Sequence, residues 1–299
     1  MIQTENYICE RIMSDGTKAV QISELEHFDI AQIFDCGQCF RFLPVNGDPY
    51  HIGGVAFGKY IELVQSGSTL TIINATLEDY KSIWHRYLGL DLDYSRVKSE
   101  LLAAFAPQDN TGVFKRALNC GAGIRILRQE PWECLCSFII SQNNNIPRIR
   151  KIIASLCEKY GERIKYGNAT FYSFPPPEAI VRAGVDAIFE LRTGFRARYI
   201  YDAACAVCEK RLDFEVLRGL DVPELERALC SVKGVGPKVA ACAMLFSLEK
   251  YDAFPIDVWV RRILEKYFSD GLDITALGRY AGIAQQYLFY YERYAVGAE

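Results

Sequence analysis

Residues 231–244 read SVKGVGPKVAACAM. Two glycines and a proline bracket a tight turn, and a run of small apolar residues follows. The preceding VPELERALCSV carries apolar residues at helical spacing. The stretch therefore reads as helix, hairpin, helix, spanning 225–247. Glycines at such a turn let the backbone approach a partner and expose N–H groups at a helix N-terminus, which suits a phosphate. Gly234 and Gly236 are the candidates for that contact. Gly-x-Gly turns between helices are also common without any ligand. Lys238 stands in the first helical turn, where the partial positive charge disfavours a cation. A neutral amine there is a nucleophile able to form a Schiff base with a sugar C1′ or a carbonyl; a charged one binds phosphate. Both readings stay open at this point.

Further along, FPIDVWVRRIL puts Asp257 just ahead of another helical run. An N-cap is its ordinary role. The same carboxylate is able to steady positive charge on a sugar ring or relay a proton, and the two roles are compatible.

Upstream the texture changes. Residues 50–74 are rich in β-branched and aromatic residues and broken by GG, GK and SGS turns, so short strands are expected. The segment before Asp35 has a similar mix. Helical spacing takes over near residue 77, and from about 113 nearly everything reads as helix, with FPPPEAI (174–180) a rigid loop. Strands followed by helices argue an α+β chain. The expected division is an N-terminal antiparallel β-sheet domain with helices, 1–112, then a mainly α-helical, two-lobed core, 113–299, with a catalytic loop at 253–258.

Composition bounds the rest. The chain has 299 residues, 50% hydrophobic and 24% charged, a soluble globular profile. No apolar run is long enough for a transmembrane helix, and the N-terminus lacks a signal pattern. Eleven scattered cysteines suggest reduced thiols in a cytoplasmic protein. Net charge −3 argues mildly against nucleic acid. Locally, however, residues 121–151 and 192–211 each hold five Lys/Arg and two Asp/Glu, compatible with a basic face.

The stretch LCSVKGVGPKVAACAMLFSLEKYDAFPIDVWVRRI resembles the hairpin and aspartate loop of base-excision DNA glycosylases. FDCGQCFRF (34–42), GIRILRQEPWECLCSFIISQNNNIPRI (123–149), GFRARYI (194–200) and GIAQQYLF (282–289) are similar, in order, to 8-oxoguanine DNA glycosylases. The resemblance implies excision of 8-oxoguanine, preferably opposite cytosine, by base flipping, and strand cleavage by β-elimination. It implies Lys238 as the Schiff-base nucleophile and Asp257 as the catalytic aspartate. Gly37 would accept a hydrogen bond from N7–H of the lesion, an atom that is a bare acceptor in guanine. Phe289 and Cys242 would sandwich the base and Gln285 would read its Watson–Crick edge. Asn143 would fill the vacated position, Arg148 and Arg196 would bond the orphaned cytosine, and Phe195 would be a stacking wedge. Trp259 stands at a phosphate contact that is histidine in human-like members, Phe195 where they have tyrosine, and Ala241 where they have an acid. Carbonyls of Cys230, Val232 and Val235 would hold a monovalent cation. No other cofactor is implied, nor a membrane. The partner would be damaged double-stranded DNA, met by a monomer at a bacterial nucleoid.

Three other readings compete. Cys36-Gly-Gln-Cys39 and Cys205-Ala-Val-Cys208 are C-x-x-C pairs of the redox or zinc type. The first overlaps the glycosylase pattern, and the second lies in a helical run. No cysteine follows Cys242, which disfavours an iron–sulfur glycosylase, and Lys238 disfavours the alkyladenine branch. A non-catalytic hairpin DNA-binding protein explains the turn and the basic segments. It leaves Lys238, Asp257, Gly37 and Gln285 without a role.

Overall fold

The structure is a computed structural model and describes residues 7–296. Six strands form one antiparallel sheet: β1 (Ile8–Ile12), β2 (Lys18–Ile22), β3 (Leu43–Val45), β4 (Asp48–Ala56), β5 (Lys59–Ser66) and β6 (Thr69–Ile73). Their spatial order is β1-β2-β6-β5-β4-β3. β4 and β5 close through Phe57-Gly58, both at positive φ, so the turn matches the twist of the strands it joins. Within the segment before Asp35, Ile30–Phe34 is a helix rather than a strand, started by Asp29, whose side chain accepts the Gln32 N–H.

Two apolar cores lie side by side. One gathers Val20, Ile22, Leu63, Leu70 and Ile72 of the sheet with Trp84, Tyr87 and Leu127. The other is helical and includes Val97, Leu101 and Phe105. Phe105 stacks on Phe114 with centroids 3.8 Å apart. The Tyr94–Phe105 helix packs in this second core. One departure from the expected texture is the β7 (Arg163–Tyr166) and β8 (Ala169–Tyr172) hairpin, which interrupts the stretch read as helices and loops. Its Phe171 stacks on Tyr60 of the large sheet at 3.7 Å.

Buried polar side chains join the two cores. Gln38 is wholly buried; its Nε2 donates to the carbonyls of Ile33 and Arg125, and its Oε1 accepts the Leu127 N–H. Arg125 donates to the carbonyls of His27, Gly89 and Glu26. Arg41 and Glu133 form a buried ion pair at 3.0 Å. Burial pushes the Glu133 carboxyl up to about 7, against the pull of Arg41. The folded chain holds this proton more tightly than the unfolded one. The group's stabilisation is therefore full below the unfolded value of 4.5 and is lost as pH rises through about 7. In urea unfolding, the stability of the parent relative to Glu133→Gln is expected to fall across that window. A pH-independent difference would refute the assignment.

Candidate active site and DNA face

The hairpin joins the Val222–Cys230 helix, capped by Asp221, to the Pro237–Ser247 helix, whose N-cap is Gly236. Gly234 sits at φ +89°, and a Cβ there would lie 2.1 Å from Cγ of Tyr199. Positive φ and a ring against the backbone both require glycine. Gly234→Ala is expected to cost about 2–4 kcal/mol, from backbone strain and overpacking together. Urea unfolding measures it; a parent-like midpoint would mean that Tyr199 moves aside freely.

Pro237 opens the second helix at a position with no N–H to satisfy, so Lys238 lies in the first turn, half-buried. Its Nζ donates to Ser141 Oγ at 3.3 Å and lies 5.0 Å from the Phe138 ring centroid. One turn on, burial pushes the Cys242 thiol up to about 11, with Lys238 pulling down and Asp257 pushing up. Asp257 caps the Val258–Tyr267 helix, accepting the Val260 N–H at 2.8 Å.

These groups meet in one cavity of about 50 Å³. Lys238, Asp257, Gly37, Cys242, Gln285 and Phe289 all line it, together with Phe138. Gln285 is 4% exposed, and its Oε1 is buried with no hydrogen-bond partner among the described residues. An orphaned acceptor of this kind costs about 1–3 kcal/mol unless a donor arrives. Gly37, at φ +78°, packs under the Phe289 ring, which lies 3.5 Å from where a Cβ would be. Sites for drug-sized ligands run to about 300–1,000 Å³, so this cavity as it stands is small, with the Phe289 ring over Gly37 taking up part of the space.

Sequence reasoning passed over the residues that hold the cavity in shape. Gln286 Nε2 donates to the Cys36 carbonyl at 2.7 Å, and Gln129 Nε2 to the Gln38 carbonyl at 2.6 Å. The two bonds flank Gly37. Two adjacent glutamines inside the apolar run GIAQQYLF were the available signal, since buried amides need partners. Ser141, beside Lys238, had none.

The three asparagines ending the Pro131–Ser141 helix divide their work. Asn144 Nδ2 donates to the Ile140 carbonyl, and Asn145 caps the Ile146–Tyr160 helix. Asn143 is exposed at φ +46°, which frees it for an outside partner. Arg148 is also exposed and donates to the Arg192 carbonyl at 3.3 Å. Arg196 differs from the expected cytosine reader. It is 3% exposed, and its guanidinium donates to the carbonyls of Gln142, Asn143 and Thr193. In this conformation it holds the Asn143 loop. Gln142 in turn donates to the Gly234 carbonyl at 2.9 Å, tying that loop to the hairpin. Phe195 is 54% exposed under the Arg196 guanidinium and edge-on to Tyr199. Trp259 is 42% exposed beside Arg262. At the hairpin, the Val235 N–H donates to the Val232 carbonyl at 3.0 Å.

The C-x-x-C reading of Cys36 and Cys39 finds no support in the geometry. Cys36 packs in the helical core and Cys39 in the sheet core, so the two thiols diverge. All the cysteines are free, and among the described residues no group of three or more His, Cys, Asp or Glu is arranged to hold a metal.

Residues 19–135 match the family model of the 8-oxoguanine DNA glycosylase N-terminal domain, and residues 136–275 that of the HhH-GPD superfamily base excision DNA repair proteins. The N-glycosylase/DNA lyase OGG1 of Arabidopsis thaliana is 34% identical over 215 residues, 64% of this chain and 57% of that protein. The N-glycosylase/DNA lyase of Saccharomyces cerevisiae is 36% identical over 48% of this chain and 42% of its own. The matches thus span less than two thirds of these curated relatives. Among solved structures, the Clostridium acetobutylicum 8-oxoguanine glycosylase/lyase, bound to double-stranded DNA with cytosine opposite 8-oxoG, superposes with TM-score 0.87 at 35% identity. That match covers 97% of this chain and 98% of that one. MBOgg1 in complex with a low-affinity DNA ligand superposes with TM-score 0.88 at 38% identity, over 98% and 100%. Fold and hairpin site together are those of the helix–hairpin–helix base-excision DNA repair superfamily. Within it, the chain belongs to the 8-oxoguanine DNA glycosylase family.

Proposed function

We propose that this chain excises 8-oxoguanine from duplex DNA opposite cytosine and then cleaves the strand as a lyase. The observation that carries the reading is the single cavity shared by the Lys238 amine, the Asp257 carboxylate and the unpaired Gln285 acceptor. The lysine Nζ attacks C1′ of the flipped nucleotide. The N-glycosidic electron pair leaves with the base, which takes up a proton, and the amine loses one. The sugar ring opens to a Schiff base; loss of a C2′ proton then expels the 3′ phosphate. Asp257 steadies the positive charge that builds on the sugar. Gln285 Oε1 accepts from the N–H groups on the base's Watson–Crick edge. The Gly37 carbonyl favours the N7–H of the lesion and repels the bare N7 of guanine.

Asn143, Phe195 and Arg148 fill and prop the opened duplex, with Gly234, Gly236 and Trp259 along the phosphates. A monovalent cation on the Cys230, Val232 and Val235 carbonyls belongs to the reading; it would share the Val232 carbonyl with the Val235 N–H. No organic group is needed, and the working form is a monomer on nucleoid DNA. The test is borohydride trapping on an 8-oxoguanine:cytosine duplex beside a guanine:cytosine control. A covalent band with the lesion alone is expected. No band despite tight binding would reduce the hairpin to a phosphate grip.

Arg148→Ala is expected to lower the preference for cytosine over the other opposite bases by about tenfold, the loss of roughly one good base contact. Unchanged ratios of excision across the four opposite bases would remove that role.

A further inference from the structure

A second, larger cavity of about 370 Å³ lies away from the hairpin, where β3, β4 and β5 face the Ile146–Tyr160 helix and the β7–β8 hairpin. Its size is within the range of small-molecule sites. Phe40, Val45, Val55, Tyr60, Ile153 and Phe171 make its walls apolar. Gly53 packs under the Tyr60 side chain, where a Cβ would lie 2.6 Å from its Oη, so glycine there lets Tyr60 form part of the wall.

Two arginines line this apolar space, Arg41 and Arg150. Arg41 is already matched by Glu133. Arg150 has no such match among the described residues, and its Nε is buried without a hydrogen bond. A buried donor left unmade is costly. Arg150 follows Arg148 by two residues, roughly 200° around the helix axis. It therefore faces away from the duplex that Arg148 serves.

We propose that this cavity is a binding site for a small apolar carboxylate, its aromatic or aliphatic body against the Phe40–Phe171 walls and its carboxylate on Arg150. A planar carboxylate suits the guanidinium fork, and a more highly charged anion would be harder to desolvate in so apolar a space. Because the walls come from both the sheet and the helical core, the ligand bridges them and stabilises the fold on binding.

The probe is 2-naphthoate, with 2-naphthamide as its uncharged counterpart, in calorimetric titrations of the full chain. One-to-one binding of the acid, a rise in Tm and about tenfold or weaker binding of the amide are expected. Arg150→Leu should weaken the acid by at least that factor and leave the amide unchanged. Ala154→Trp, which fills the cavity, should abolish both, with circular dichroism reporting that each variant folds. Binding should persist with saturating duplex present. No binding by the parent, equal affinity for acid and amide, an unaffected Arg150→Leu, or displacement by DNA would each overturn the proposal.

Discussion

Lys238→Gln is expected to retain lesion-duplex binding and lose excision by about four to six powers of ten, the scale on which removal of a nucleophile acts. The amine is the one nucleophile in the cavity suited to attack. Cys242, one turn away, is held as a thiol by burial, its pKa pushed up to about 11, and a thiol is a poor nucleophile beside its thiolate. Glutamine is a good helix former, and it leaves the Gly234–Gly236 backbone and the Ser141 hydroxyl in place. Binding should therefore change only a few-fold. Single-turnover excision and borohydride trapping read the loss. Excision within tenfold of the parent would mean that water, not the lysine, attacks C1′. Retained excision with loss of trapping alone would confine Lys238 to the lyase step.

Asp257→Asn is expected to lower single-turnover excision by about 10²–10⁴-fold, the range for a group that moves protons or balances charge in the transition state. Stability should barely change, because asparagine caps a helix about as well as aspartate. Asp257→Ala removes the cap as well and should cost about 1 kcal/mol more in urea unfolding. The pair separates the two roles that one carboxylate carries: its bond to the Val260 N–H and its place in the cavity that Lys238 lines. Equal activity losses that track stability losses would leave Asp257 a cap only.

Both predictions rest on residues legible before any fold was known. Local rules suffice for a hairpin: glycines, a proline at N1 and flanking apolar periodicity specify it whatever surrounds it. The same holds for the Asp257 cap and for most of the strands in 50–74, whose turns and β-branched alternation are local signals. The four base-pocket residues and the two catalytic residues implied by the resemblance line one cavity, although Gly37 and Phe289 are 252 positions apart in sequence. Composition and periodicity alone carried no hint of that meeting.

Tertiary structure decided what depends on partners far away in the chain. Whether Arg196 faces solvent or turns inward is set largely by two carbonyls on a distant segment, those of Gln142 and Asn143, so a surface role and a clamping role look alike in sequence. Cys36 and Cys39 could be assigned to different cores only once the chain between them was seen to pass from one core to the other. The four-residue strands β7 and β8 are too short for periodicity to declare; they pair with each other across Gly167-Asn168 and pack on Tyr60. The unpaired Oε1 of Gln285 and Nε of Arg150 are facts of burial, and burial is a property of the assembled molecule. The sequence by itself specified the chemistry available at the hairpin; only the folded chain decided which polar atoms remain unsatisfied among the described residues, and which of them, Gln285 Oε1 and Arg150 Nε, belong to cavity-lining residues.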